Sequence, residues 1–222
     1  VMILNVLGNC SEMEKIKKFL NKKKIFLIED TCEALGSKYK NKYLGTFGDF
    51  GTYSFYYSHQ ITSGEGGMIV CNNKDDYNLL KSLRAHGWDR EVNKRNSKNF
   101  NFINEGFNLR PMDINAAIGF NQFKRLKKLK STRAKNRNYL IRSLKSSKKW
   151  NNQYSFFNPQ KNLDPSWFGL PLMLNNKKID SKNRFLKYLN KNKVETRPII
   201  SGNFANQPAI KKYNIKYKKS EL

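Results

Sequence analysis

No stretch of about 18 apolar residues occurs in the chain, so no segment can cross a bilayer as a helix. Cysteine is scarce. Cys10, Cys32 and Cys71 lie far apart with no C-x-x-C pair, which offers neither a disulfide framework nor a zinc or iron-sulfur ligand set and fits a reducing cytoplasm. A basic region leading into an apolar core and a small-residue cleavage site is missing from the N-terminus, so no secretory signal is expected. Acidic residues are short as well: 17 Asp and Glu stand against 43 Lys and Arg, a formal charge of +26 on 222 residues. Such an excess favours nucleic acid only where the cations cluster, because counterion release rewards phosphates neutralised together. Here lysine is spread among Asn and Ile, and the densest runs, around Lys15 to Lys24 and Lys124 to Lys130, read as solvated helix faces. Nucleic acid is therefore not expected as a partner.

What remains suffices for a core. Hydrophobic residues make up 38% and aromatics 13% of the chain, which excludes a wholly disordered basic tail. Residues 1–7 (VMILNVL), ended by Gly8-Asn9, read as a buried strand, Ser11 as a helix cap, and residues 12–23 as a helix with Met13, Ile16, Phe19 and Leu20 on one face. Residues 25–28 (IFLI) read as a second buried strand. This β-α-β alternation predicts parallel strands, at whose carboxyl ends function collects in open α/β sheets; Glu29 and Asp30 sit at such an end. Strands are expected at 52–57 and 68–71, separated by Gly64-Glu65-Gly66-Gly67, then a helix at 75–86 closed by Gly87 and a loop at 91–106. From Met112 to about Leu144 the pattern is that of one long helix, able to join a domain of residues 1–145 to one of residues 146–222. In the second domain, 167–174 and 194–200 read as strands around a helix at 181–190, and the chain ends in a Lys-rich stretch.

The block at 28–67, IEDTCEALGSKYKNKYLGTFGDFGTYSFYYSHQITSGEGG, carries several motifs in order. Glu29-Asp30 opens it, a G-x-F-G-D turn follows at Gly45 to Asp49, and Ser54-Phe55 leads through His59 to the Gly64 to Gly67 turn. Arg84-Ala85-His86-Gly87 and Gly106-Phe107-Asn108-Leu109-Arg110 come next, then Asn115-Ala116-Ala117-Ile118-Gly119. This order resembles the DegT/DnrJ/StrS-type sugar aminotransferases, pyridoxal-phosphate (PLP) enzymes of the aspartate aminotransferase fold. Several ordered motifs are far more specific than one glycine-rich loop, and the resemblance covers nearly the whole chain. It implies an α/β architecture: a large domain of the PLP-dependent fold type I with a mixed, mostly parallel sheet, and a smaller α/β C-terminal domain. Both would be incomplete, because family members are substantially longer.

A pyridoxal cofactor needs an anion against its pyridinium nitrogen to act as an electron sink, and Asp30 matches the family's aspartate at that place. Glu33 matches a position that contacts the ring hydroxyl, where Gln is usual, and Ser54 matches the serine that bonds the cofactor phosphate. Asn108 matches a residue reaching a neighbouring subunit's cofactor phosphate, which implies a homodimer with shared active sites. The Schiff-base lysine is absent, and His59 stands in its position. Lysine-mediated transamination is thereby impaired, while an imidazole with an ordinary pKa of about 6.5 remains a competent base for the cofactor's C4′ carbon.

The same Lys-to-His exchange marks the family's nucleotide-linked 4-keto-6-deoxyhexose 3-dehydratase branch. Trp167-Phe168-Gly169, Glu195-Thr196-Arg197-Pro198 and Ser201-Gly202-Asn203-Phe204 resemble its C-terminal motifs. Residues 88–110 hold no cysteine, as in the type without an iron-sulfur cluster, which takes glutamate as amino donor. The resemblance thus implies that pyridoxamine phosphate condenses with the sugar's 4-ketone, that His59 removes the C4′ proton as the C3 hydroxyl leaves, and that hydrolysis yields a 3-deoxy-4-keto sugar with ammonia. Deoxysugar and lipopolysaccharide O-antigen synthesis would be the setting, and Arg197 could bind the substrate's diphosphate. A sugar aminotransferase using another amine, an inactive family member and a basic binding module stay open as alternatives. The family's N-terminal helix that cradles the phosphate is missing, so weak or no activity is expected of these 222 residues alone.

Overall fold

The computed structural model describes residues 1–92, 100–175 and 179–213. Two compact units form: Val1–Trp150 with Phe156–Leu170, and Asn151–Ser155 with Pro171–Leu222. Residues 146–150 and 156–170 thus belong to the first unit, beyond the boundary expected after 145.

The first unit is built on a four-stranded sheet. Strand β1 (Met2–Leu4) is followed by helix α1 (Met13–Lys22) and β2 (Ile28–Asp30), then by a hairpin of β3 (Lys38–Tyr39) and β4 (Lys42–Tyr43), and by β5 (Phe50–Ser54) and β6 (Gly67–Cys71). The sheet order is β1-β2-β5-β6. β1, β2 and β5 are parallel, as the alternation predicts, and β6 is antiparallel to β5. Helix α1 covers one face. Its Met13 and Leu20 pack with Leu27, Ala34, Tyr39, Leu44 and Phe47 in the main core. Helices α2 (Lys74–Arg84), α3 (Asp113–Phe123) and α4 (Leu126–Lys145) follow, and β8 (Leu163–Asp164) pairs with β3.

Several expectations shift. The first strand stops at Leu4, because Asn5 turns its amide inward to Glu29 and Thr31 and the chain bends through a turn with Leu7 at φ 54°. Ser11 does not cap α1; Glu12 holds the N-cap position without a side-chain bond. The second strand starts at Ile28, and of residues 25–28 only Leu27 is buried, since Asp49 fixes the Leu27 N–H and places the following residues in register. The third ends at Ser54. Beyond it Phe55 bonds Gly66 and Ser63, and the chain turns. The long helix is two helices, broken at Lys124 and Arg125, which lets Leu126 pack on the second core cluster of Leu35, Tyr53 and Ile61. Of the loop expected at 91–106, residues 93–99 lie outside the described residues, as does the Lys-rich stretch from 214.

Strand β7 (Tyr154–Phe156), of which Tyr154 and Ser155 lie in the second unit, pairs with β9 (Leu172–Leu174); in that unit Tyr154 packs on Phe185 of helix α5 (Ile179–Lys191), and a short helix α6 (Pro208–Lys211) follows. Residues 167–171 are not strand. Neither are 194–200: the Val194 N–H turns back to Leu189, and Pro198 has no N–H to offer a ladder.

Candidate active site

Two adjacent carboxylates leave β2 on opposite faces of the sheet. Glu29 is fully buried on the core side. Its Oε1 accepts the N–H groups of Phe47 (2.6 Å) and Gly48 (2.7 Å), and its Oε2 accepts Gly45 N–H (2.8 Å) and the Asn5 amide (3.3 Å). A carboxylate is tolerated inside a protein only with such partners. The G-x-F-G-D motif therefore has a structural reason: it aims three backbone donors at one buried charge. Gly51 permits this by lying under the loop, where a Cβ would sit 1.9 Å from the Gly45 carbonyl oxygen. Asp49 closes the loop by accepting from Leu27 N–H (2.7 Å) and Lys17 (2.8 Å). Burial pushes the Asp49 carboxyl upward, but these two donors outweigh it and hold the group below its ordinary value. Burial first, and the charge of Glu29 second, push both the Tyr53 phenol and the Cys10 thiol up to about 12.

Asp30 takes the other face. Its register with Thr52 on parallel β5 places Asp30, Thr52 and Ser54 on one side of the sheet at the strands' carboxyl ends. Asp30 is half-buried, its Oδ1 accepts Cys32 N–H (3.1 Å), and among the described residues no Lys, Arg or His forms an ion pair with it. Burial, then the hydrogen bond the thiol gives to Asp30, raises the Cys32 thiol to about 11. An anion without a cation here suits a ligand that brings its own positive N–H. Ser54 accepts from Tyr56 N–H (3.2 Å) through its Oγ, which leaves its own hydrogen uncommitted among the described residues.

His59 stands on the turn that follows β5, with its N–H bonded to Tyr56 O at 3.0 Å. The imidazole meets the Tyr56 ring at 6.0 Å and 90°, and the Phe168 ring at 5.2 Å and 67°. Its Nδ1 is buried without a hydrogen-bond partner among the described residues. Next to it, Gln60 donates its amide to Glu33 O (2.5 Å) and Ser166 O (3.2 Å). Glu33 in turn accepts Leu7 N–H (2.8 Å) through Oε2, and Phe168 N–H donates to Leu7 O (3.2 Å). The close approach needs Gly8 at φ +90°, since a Cβ there would lie 2.3 Å from Ser166 O. Behind Phe168, Arg133 of α4 lies 5.9 Å over the ring and donates to Trp167 O (3.3 Å); Arg137, one turn on, lies 4.0 Å over Trp167. Burial lowers the pKa of both guanidinium groups.

The fold thus joins Glu33, His59 and Phe168 in one hydrogen-bonded and stacked cluster, and sets Asp30 and Ser54 side by side at neighbouring strand ends. Asn108 is elsewhere: it is exposed and forms an isolated bridge with Ala85. Arg197 is exposed in the second unit. The Gly64 to Gly67 turn is pinned by α3, whose Asn115 amide donates to Ser63 O (2.7 Å) and Glu65 O (3.2 Å). Sequence reasoning missed the Glu29 latch, Gln60 and the two stacked arginines. Only the arginines left a partial signal, their spacing of four on one helix; that Trp167 and Phe168 lie against them is tertiary.

Comparison with known proteins supplies an independent line. The profile of the DegT/DnrJ/EryC1/StrS aminotransferase family matches residues 1–221. The GDP-4-keto-6-deoxy-D-mannose 3-dehydratase of Escherichia coli O55:H7 is 34% identical over 224 residues, covering 96% of this chain and 56% of that protein. A solved structure of the E. coli enzyme with bound hydrated PLP superposes with a TM-score of 0.84 at 34% identity, over 96% of this chain and 56% of the other. One of GDP-4-keto-6-deoxymannose-3-dehydratase with a trapped PLP-glutamate geminal diamine gives 0.86 at 32% identity, over 96% and 56%. The chain spans about half the length of the curated relatives it matches.

Proposed function

The chain belongs to the DegT/DnrJ/EryC1/StrS aminotransferase family, and from that premise we propose that its protein removes the C3 hydroxyl of a nucleotide-linked 4-keto-6-deoxyhexose, with pyridoxamine phosphate as cofactor and glutamate as amino donor. The observation that carries this is His59, an enclosed imidazole on the turn where an aminotransferase needs its lysine. The residues fit the cofactor: an unpaired carboxylate at Asp30, a hydroxyl with a free hydrogen at Ser54, and no amine at 59 to hold the cofactor covalently.

When bound, the cofactor supplies the amine that condenses with the 4-ketone and the ring that takes up the electron pair. Asp30 holds the ring N–H in its charged form. His59 takes the proton from C4′ and returns it to the departing C3 hydroxyl, which leaves as water. Tyr56 and Phe168 keep solvent from the imidazole. Ser54 donates to the phosphate, Glu33 faces the ring hydroxyl, and Asn108 reaches the phosphate of a second copy in a homodimer. Arg197 takes the substrate's diphosphate as a bidentate cation. Overall, the sugar and glutamate give the 3-deoxy sugar, 2-oxoglutarate and ammonia. Deoxysugar synthesis of this kind belongs in the cytoplasm, where the three free cysteines stay reduced.

The test uses the full-length gene product, loaded with PLP and glutamate and offered a 4-keto-6-deoxy nucleotide sugar. A product lighter by one oxygen, with ammonia released, is the expected result. An amino sugar makes the protein an aminotransferase, and absence of both cofactor binding and turnover makes it an inactive relative.

A further inference from the structure

The His59 Nδ1 has no partner among the described residues, and the ring lies against those of Tyr56 and Phe168. The residue next to it that ties its backbone down is Gln60, which is 3% exposed. One N–H of its amide reaches Glu33 O, on the loop that follows Asp30, and the other reaches Ser166 O, two residues before Phe168. The Gln60 Oε1 is buried with no partner among the described residues.

We propose that Gln60 is a positioning residue for His59, its amide clamping the imidazole-bearing turn between the Glu33 and Ser166 carbonyls so that base, cofactor loop and aromatic wall keep one geometry. This deepens the reading of His59 as the base and rests on it. The turn's own N–H bonds, Tyr56 to Ser54 Oγ, His59 to Tyr56 O and Ser63 to Phe55 O, stay within residues 54–63, whereas Gln60 ties it to the loop after Asp30 and to the segment before Phe168. Displacing a base by about 1 Å costs on the order of 100-fold in rate, so two bonds to opposite walls have a direct kinetic consequence.

Gln60→Met keeps the length of the side chain and removes both donors. In the full-length protein, the His59 ring resonances, assigned by their loss in His59→Asn, report the ring currents of Tyr56 and Phe168 without any turnover. They should move toward the shifts of an exposed imidazole in Gln60→Met, and kcat should fall roughly 10- to 100-fold with KM for the nucleotide sugar unchanged. Gln60→Glu provides the rescue: protonated, its acid can donate to one carbonyl, and ionised to neither, so its kcat relative to wild type should recover as pH falls. Unmoved His59 resonances, or an unchanged kcat, overturn the proposal. Should the wild-type protein make no 3-deoxy sugar, the proposed function fails, and the ring resonances still decide whether Gln60 holds the imidazole.

Discussion

Phe168 stands edge-on to His59, ring centroids 5.2 Å apart and planes inclined at 67°, although 109 positions separate them in the chain (168 − 59). Edge-to-face pairs contribute about 0.5–1.5 kcal/mol beyond the area they bury, and here the contact also lies against the imidazole proposed as the base. Replacing Phe168 with Leu should lower kcat about 2- to 13-fold, the rate equivalent of that range. Steady-state kinetics with unchanged cofactor affinity would check it, and full activity of the variant would remove Phe168 from the site.

His59→Asn should abolish 3-deoxygenation, a loss of about 10²- to 10⁴-fold for a missing general base, while the far-UV circular dichroism stays that of the wild type. His59 itself belongs to neither core cluster, so the core does not depend on the imidazole. Product mass spectrometry is the readout. Residual dehydration at the wild-type rate would mean that another group moves the proton.

Glu29→Gln should destabilise without touching the chemistry. Its carboxylate accepts three backbone N–H groups and an amide, and an amide in its place turns a donor toward donors. Leaving even one buried donor unmet costs about 1–3 kcal/mol. For a protein of this size that is a fall in Tm of about 2–12 °C, readable by thermal unfolding. An unchanged Tm would contradict the latch.

The Asp49 carboxyl titrates below its unfolded value, because the Leu27 N–H and Lys17 together outweigh the opposing effect of burial. The folded state therefore binds this proton less readily than the unfolded chain. Its stabilising contribution is present above the unfolded pKa, about 3.9, and is lost as pH falls through the lower folded value. Asp49→Asn should accordingly be less stable than wild type at pH 7, and the difference in urea midpoint should shrink below about pH 4. A difference independent of pH would assign Asp49 no ionic role.

Cys10 and Cys32 should resist alkylation at pH 8, since burial, reinforced by Glu29 and Asp30 respectively, puts their pKa values near 12 and 11. The thiolate is the reacting species, and little of it exists three or more units below the pKa. Peptide mass mapping after a short iodoacetamide pulse would show the labelling. Rapid modification of Cys32 in the folded protein would count against its contact with Asp30.

The β-α-β start, the parallel strands and the family were legible because local period and ordered motifs carry them: α1 at 13–22 agrees with the apolar spacing, and Asp30 falls at a strand end as read. Other elements escaped. The long helix from 112 breaks at Lys124 although neither Gly nor Pro marks the place, because the gain from packing Leu126 is tertiary. The strand expected at 194–200 has β-branched residues but no partner among the described strands, and composition cannot supply a partner.

Sequence alone determined which chemical groups are present: a carboxylate doublet at Glu29 and Asp30, an imidazole in place of an amine at 59, and the glycines that permit close turns. These follow from residue identity and order. Tertiary structure alone decided that Glu29 faces inward as a latch and Asp30 outward, and that Gln60 and Phe168 frame His59. The reason is physical. Which face of a strand is buried, and which distant segment meets a turn, depend on packing and hydrogen bonds between residues far apart in the chain, such as Gln60 and Ser166, and no local pattern encodes them.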